Sequence, residues 1–248
     1  DPSQPSNLQE LALAVKLQSA DLGLAFDGDG DRLGDVDSTG KVIWPDRQLM
    51  LFARDLLSRN PGARVVFDVK CSSKLAREIR AGGGEPIIWK SGHSLIKSKM
   101  QETGALLGGE MTGHLFFREG WFGFDDGIYA SARLLEILVQ EKRSPAAVFA
   151  SLPDTIATPE ILLPMDEHYH EGFMESLLAA ARFDGAERTL IDGLRVDYAD
   201  RWGLVRPSNT SASIVFRFEG DTEAALNHIQ QEFRELLHKI DPSLELPF

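Results

Sequence analysis

The sequence has one cysteine, Cys71, in 248 residues, so it holds no internal disulfide framework and fits a reducing compartment. No apolar run is long enough to cross a bilayer, and the opening Asp1-Pro2-Ser3-Gln4-Pro5-Ser6 has neither the basic stretch nor the apolar core of a secretion signal. A soluble, cytoplasmic chain with no membrane partner is expected. Basic residues are also short. The 26 Lys and Arg stand against 38 Asp and Glu, and the formal net charge of −12 would repel a nucleic-acid backbone. Small anions stay open as ligands, because a phosphate needs only a few cations or helix-end amides; Arg32, Lys70, His93, His114 and Arg206 all lie close to glycine-rich turns. An initiator methionine is missing as well. Ser6-x-x-Gln9 reads as a capping box before a helix, and an apolar strand over 22–26 follows, yet one helix and a strand or two cannot enclose a core. Residues 1–40 are therefore expected to be the remnant of a larger α/β domain, and the chain to be a piece of a longer protein.

What is present is a regular alternation. A hairpin-like stretch through Asp37-Ser38-Thr39-Gly40 leads to Pro45-Asp46, a helix opening. Strands over 64–67 and 86–89 each precede a helix, beginning near Ser73 and Ser94; a strand over 105–107 leads to a loop, and a long helix covers 126–140. This pattern predicts an α/β fold over residues 41–153, with a mixed, mostly parallel sheet flanked by helices. Prolines 153, 159 and 164 mark a linker and the first strand of an α+β domain over 154–248. That domain should contain a helix over 169–181, two or three strands between Leu190 and Phe218, and a terminal helix from Asp221 with Leu226, Ile229, Phe233, Leu236 and Leu237 on one side.

Four loops carry chemistry. Asp27-Gly28-Asp29-Gly30-Asp31-Arg32 sets three carboxylates at alternate positions after a strand, which suits an oxygen-loving cation such as Mg²⁺ or Ca²⁺, or else a solvated acidic turn. It does not fit a calcium loop of the EF-hand type, which needs glycine where Arg32 stands and glutamate where Ser38 stands. Lys90-Ser91-Gly92-His93-Ser94 opens a helix whose amides favour an anion, although a histidine there can equally be a cap. Lys70 lies at the equivalent edge of the sheet. Gly108-Gly109-Glu110-Met111-Thr112-Gly113-His114 places a carboxylate, a hydroxyl and an imidazole at every second residue. In an extended strand these share one face, as sugar recognition or plain exposed alternation would both have it. Arg206-Pro207-Ser208-Asn209-Thr210-Ser211 offers a guanidinium fork, hydroxyls and an amide in one turn, a phosphate grip or a capped turn.

Taken in order, Asp27 to Arg32, Gly109 to His114 and Arg206 to Thr210 resemble the metal loop, sugar-specificity loop and phosphate loop of the α-D-phosphohexomutase superfamily. Lys90-Ser91-Gly92-His93 and Phe122-Gly123-Phe124-Asp125-Asp126-Gly127 resemble its bacterial phosphomannomutase/phosphoglucomutase branch. The resemblance implies domain 2 up to residue 40, domain 3 over 41–153 and domain 4 over 154–248. It implies an isomerase that moves a phosphoryl group between the 1- and 6-positions of a hexose through a hexose 1,6-bisphosphate. Asp27, Asp29 and Asp31 would bind Mg²⁺, with Arg32 beside the transferring phosphate and His114 assisting proton transfer. Glu110 and Thr112 would hold the 3- and 4-hydroxyls. Arg206, Ser208, Asn209 and Thr210 would bind the distal phosphate, and Lys70, Gly92 and His93 the reorienting substrate. A monomer is expected. Two departures stand out: Thr112 occupies a position where this branch usually has serine, and no Ser-His pair occurs anywhere, so the family's phosphoserine nucleophile has no counterpart here. The alternatives are phosphoglucosamine mutase, which Met111 speaks against, a non-catalytic phosphosugar-binding fragment, and a calcium-stabilised structural domain.

Overall fold

Pro5 shapes the start of the chain. It opens a 3-10 turn, Pro5–Leu8, and α1 (Gln9–Gln18) begins beyond it with Leu8 in the cap position and no side-chain cap bond. The expected capping box at Ser6 is therefore not formed: proline's fixed φ begins the helical turn one step early and takes Ser6 inside it. Strands β1 (Leu22–Phe26), β2 (Leu33–Asp37) and β3 (Val42–Ile43) follow as an antiparallel meander. α1 packs so tightly on it that a Cβ at Gly23 would come within 2.6 Å of the Val15 side chain. Every residue of β2 is buried, Asp35 and Asp37 included. The computed structural model describes residues 1–165, 167–209 and 211–248, with the backbone alone for 167–171.

The expected alternation then appears: α2 (Pro45–Arg59), β4 (Arg64–Asp68), α3 (Ser73–Ala81), β5 (Glu85–Trp89), α4 (His93–Thr103), β6 (Leu107–Gly109), β7 (Leu115–Phe117), α5 (Gly127–Gln140) and α6 (Pro145–Ala150). The sheet runs β5-β4-β6-β7, parallel except for β7, which pairs antiparallel with β6. Neither β7 nor α6 was foreseen. The strand period of two sends Val65 and Phe67 to the face covered by α2, α3 and α5, while Val66 and Phe116 meet Ile96 and Met100 of α4 on the other. Arg47, at the start of α2 and buried, closes this unit. Its guanidinium donates to the carbonyls of Pro153 at 2.6 Å, Phe149 at 2.8 Å and Leu152 at 3.3 Å, placing a cation at the carbonyl end of α6.

Residues Asp1–Pro153 form one unit and Asp154–Phe248 a second. In the second, β8 (Ile156–Ala157), β9 (Ile161–Pro164), β10 (Glu187–Thr189), β11 (Leu194–Asp197), β12 (Arg201–Pro207) and β13 (Ser213–Gly220) form an antiparallel sheet, with α7 (Glu167–Ala180) and α8 (Glu223–Ile240). The foreseen stripe of α8 is buried from Leu226 to Leu237, and the Thr222 hydroxyl caps the helix. Gly203 of β12 lies against it, where a Cβ would sit 2.6 Å from the Phe233 ring. Among the described residues no helix is long and apolar enough to cross a membrane.

Candidate active site

The metal-type loop is the connection between β1 and β2. Gly30 takes a left-handed φ of 76°, which lets the chain reverse and brings the carboxylates of Asp27, Asp29 and Asp31 toward one another. Oxygens of all three lie within 4.8 Å of one another. Asp31 Oδ1 is buried and accepts no hydrogen bond, the condition of a lone pair built for a cation. Arg32 folds back onto the loop: its backbone N–H and its Nε donate to Asp27 at 3.1 and 2.5 Å, and its Nη1 pairs with Asp1 at 2.9 Å. Burial works to raise Asp27, but the Arg32 bonds outweigh it and hold the carboxyl at about 2. Asp31 is raised, chiefly by burial, against the pull of His114 and with Asp27 and Asp29 adding their repulsion.

Residues 110–114 are not the extended strand their alternation predicts. They turn tightly between β6 and β7, with Gly113 N–H donating to the Glu110 carbonyl at 3.0 Å and Glu110 N–H to the His114 carbonyl at 2.9 Å. The sequence placed glycine at 113 for this reason: φ is 96°, and a Cβ would press to 3.0 Å from the Leu33 carbonyl. Leu33 N–H donates to the Gly113 carbonyl at 3.1 Å, and Arg32 and His114 form an isolated antiparallel bridge. The Gly127 N–H, at the start of α5, donates to the Gly30 carbonyl at 2.9 Å. The metal-type loop, the 110–114 turn and the start of α5 are thus one backbone-bonded assembly.

Side chains extend it. Asp125, 8 % exposed, is the hub: Oδ2 lies 3.1 Å from His114 Nδ1 and 3.4 Å from His93 Nδ1, and Oδ1 accepts from the Lys97 ammonium at 2.8 Å. Burial works to raise Asp125, but His114 and Lys97 outweigh it and hold the carboxyl well below the usual carboxylate range. The two imidazoles stack with centroids 5.4 Å apart, and His114 Nδ1 is 3.6 Å from Asp31. His93, the first residue of α4, is the more exposed of the two rings. Glu110 points into the unit, where its Oε1 accepts from the Gly92 N–H at 2.6 Å and lies 3.4 Å from the Ser91 hydroxyl. Burial, then repulsion from Asp68, push it up to about 7, against the Gly92 bond and the attraction of His114 and Lys70. Gly92 reaches this position at a φ of 137° that other residues rarely adopt. Lys70 is buried with its Nζ 3.9 Å from Asp68, and Thr112 is half-buried in the turn.

In the second unit, Arg206 lies one residue before the end of β12 and is buried. Its Nε and Nη2 grip Asp192 at 3.0 and 3.3 Å. The turn that follows is closed by Ser208 N–H donating to Ser213 at 2.9 Å and Ser211 N–H donating to the Ser208 hydroxyl at 3.2 Å, with Asn209 exposed. Thr210 lies outside the described residues. Asp192 and Asp68 stand outside every motif of the sequence, and Asp125 lies within the motif over 122–127. Asp125 and Asp68 had signals available: an acid directly before the helix start at Asp126, and one at the carboxyl end of a buried strand.

This chain is similar to known proteins along its whole length. Three family models match in order: "Phosphoglucomutase/phosphomannomutase, alpha/beta/alpha domain II" over residues 1–40, "alpha/beta/alpha domain III" over 44–156 and "C-terminal domain" over 163–236. A phosphomannomutase/phosphoglucomutase of Pseudomonas aeruginosa is 55% identical over 248 residues, 100% of this chain and 54% of that protein. A phosphoglucomutase of Neisseria meningitidis is 54% identical over 250 residues, again 100% of this chain and 54% of the relative. The crystal structure of a phosphoglucomutase/phosphomannomutase family protein from Burkholderia thailandensis superposes with a TM-score of 0.94 at 52% identity, over 100% of this chain and 53% of that one. The chain thus spans about half the length of the curated relatives it matches. On the order of its three matched domains, the chain belongs to the phosphoglucomutase/phosphomannomutase family.

Proposed function

We propose that this chain carries the cation-, sugar- and phosphate-binding parts of a phosphomannomutase/phosphoglucomutase that interconverts hexose 1- and 6-phosphates through a hexose 1,6-bisphosphate. Residues 1–40 are then the end of domain 2, 41–153 domain 3 and 154–248 domain 4. The observation that carries the reading is the joining of metal-type loop and sugar-type turn by the Arg32–His114 bridge, with the His114 ring 3.6 Å from Asp31. A cation and a proton acceptor side by side are what phosphoryl transfer to or from a sugar hydroxyl requires.

The donor set fits Mg²⁺: three carboxylates converge, and Asp31 keeps a buried oxygen without a donor. When bound, Mg²⁺ would supply charge stabilisation for the transferring phosphoryl oxygens. His114, with its Nδ1 3.1 Å from the Asp125 carboxylate, presents its other ring nitrogen to take the proton of the attacking sugar hydroxyl. Arg32 is the guanidinium for the transferring phosphate, and leaves its pairing with Asp27 to serve it. Glu110 and Thr112 accept from and donate to the 3- and 4-hydroxyls, a grip indifferent to the 2-position that admits both glucose and mannose. Lys70, Gly92 and His93 steady the sugar as it turns over, and Arg206, Ser208, Asn209 and Thr210 hold the phosphate that is not reacting. The phosphoserine is supplied from another part of the protein.

The test is a mutase assay of the full-length protein with Mg²⁺ and catalytic glucose 1,6-bisphosphate. Comparable turnover of glucose 1-phosphate and mannose 1-phosphate, and much poorer turnover of glucosamine 1-phosphate, is expected. Preference for the glucosamine compound would reassign the enzyme to phosphoglucosamine mutase.

A further inference from the structure

Asp68 ends β4, the strand flanked by β5 and β6, and is fully buried. It belongs to none of the four loops, yet two of them, and the turn that follows β4, converge on it. Oδ1 accepts from the Met111 N–H at 3.3 Å and from the Cys71 thiol at 3.1 Å. Oδ2 accepts from the Ser91 hydroxyl at 3.0 Å, with the Lys70 ammonium 3.9 Å away. The turn after β4, the turn after β5 and the turn after β6 are therefore tied to one carboxylate at the carboxyl edge of a parallel sheet, where ligands of such sheets gather.

Ser91 adds a choice. Its hydroxyl lies 3.0 Å from Asp68 and 3.4 Å from Glu110, and a hydroxyl has one proton to donate. Both donors face Glu110 Oε1, so with the Ser91 proton spent on Asp68 the Gly92 N–H at 2.6 Å is the one donor of the two left on that oxygen, and its second lone pair stays open. We propose that Asp68 is a positioning residue for sugar binding: it fixes the spacing of the turns that carry Lys70, Gly92 and Glu110, and by taking the Ser91 proton it keeps Glu110 open to a sugar hydroxyl. Repulsion from Asp68 onto Glu110 agrees with this pairing of two buried carboxylates. The inference rests on the reading of the site as a hexose-phosphate site.

Asp68→Asn in the full-length protein keeps size and one acceptor, but offers Ser91 a donor and so turns the hydroxyl toward Glu110. The Kd for glucose 1-phosphate by calorimetry, and KM in the mutase assay, are expected to rise about tenfold or more, because misplaced contacts waste binding energy. Amide exchange at Gly92 and Met111 should accelerate, while kcat falls less than KM rises. Ser91→Ala, which leaves the charge in place, should raise Kd about threefold, and decides the matter if the Asp68→Asn protein does not fold. A Kd within twofold of wild type, in Asp68→Asn or in its stead Ser91→Ala, overturns the inference, as does a loss of thermal stability with affinity intact. Wild-type protein that binds glucose 1-phosphate without isomerising it would sink the proposed activity alone, and the Kd ratio would still judge Asp68; wild-type protein that binds none overturns both.

Discussion

Replacing Glu110 by glutamine should make the protein more stable and less useful. Glu110 is 3 % exposed, and burial with Asp68 nearby lifts it from 4.5 to about 7. The folded state then holds a proton that the unfolded state gives up, so this group favours folding least at high pH: its relative contribution is fully present below about 4.5 and is lost as pH rises through about 7. Linkage between those two values makes the cost larger at about pH 8 than at about pH 5.5 by about 2 kcal/mol. Glutamine cannot ionise, still accepts from the Gly92 N–H, and removes this loss. Urea denaturation of wild type and Glu110→Gln at the two pH values, following the unit of Asp1–Pro153, should show the variant gaining about 2 kcal/mol relative to wild type on going to the higher pH. Sugar-phosphate affinity should fall about tenfold or more, as a charged acceptor is exchanged for a neutral one. A stability difference that stays constant with pH would refute the account of why this carboxylate is buried.

Asp125→Ala should lower kcat about a hundredfold by freeing His114, while the chain stays folded, since only 8 % of the lost side chain is exposed but its partners Lys97 and His93 reach solvent; steady-state kinetics with circular dichroism checks both halves. Gly127→Ala places a Cβ 2.7 Å from the Arg32 carbonyl and 2.9 Å from that of Gly30, so the metal-type loop must shift and Mg²⁺ affinity by calorimetry should weaken about tenfold. Arg47→Met removes three carbonyl contacts from the closing end of the first unit and should cost about 3 kcal/mol in calorimetric unfolding, with kcat per folded molecule unchanged.

Much of the fold was legible because its signals are local. Strands such as Val65-Val66-Phe67 carry their period in consecutive residues, and the apolar side of α8 announces that helix without help. The missed elements depend on distant partners. β7 is three residues long and exists because β6 offers it an edge; α6 is six residues and is held by Arg47, more than a hundred positions earlier. The alternation at 110–114 suggested a strand, but Gly113 at positive φ and the bond between Leu33 and Gly113 make it a turn. The loops themselves stood out as clusters of unlike chemistry within a few residues. Asp68 and Asp125 show only their positions, at a strand end and before a helix, and Asp192 shows none; the roles come from groups that only folding brings near, Met111 for the first, His114 for the second and Arg206 for the third.

If cation and proton acceptor share one site, Mn²⁺ in place of Mg²⁺ must perturb the His114 ring. Bound among Asp27, Asp29 and Asp31, the paramagnetic ion must lie within several ångströms of His114, whose Nδ1 is 3.6 Å from Asp31. Titration of full-length protein with Mn²⁺ should broaden the ring-proton resonances of His114 at the lowest ion concentrations, and Asp31→Asn should abolish the effect. Broadening that spares His114, or that persists undiminished in the variant, would contradict the account.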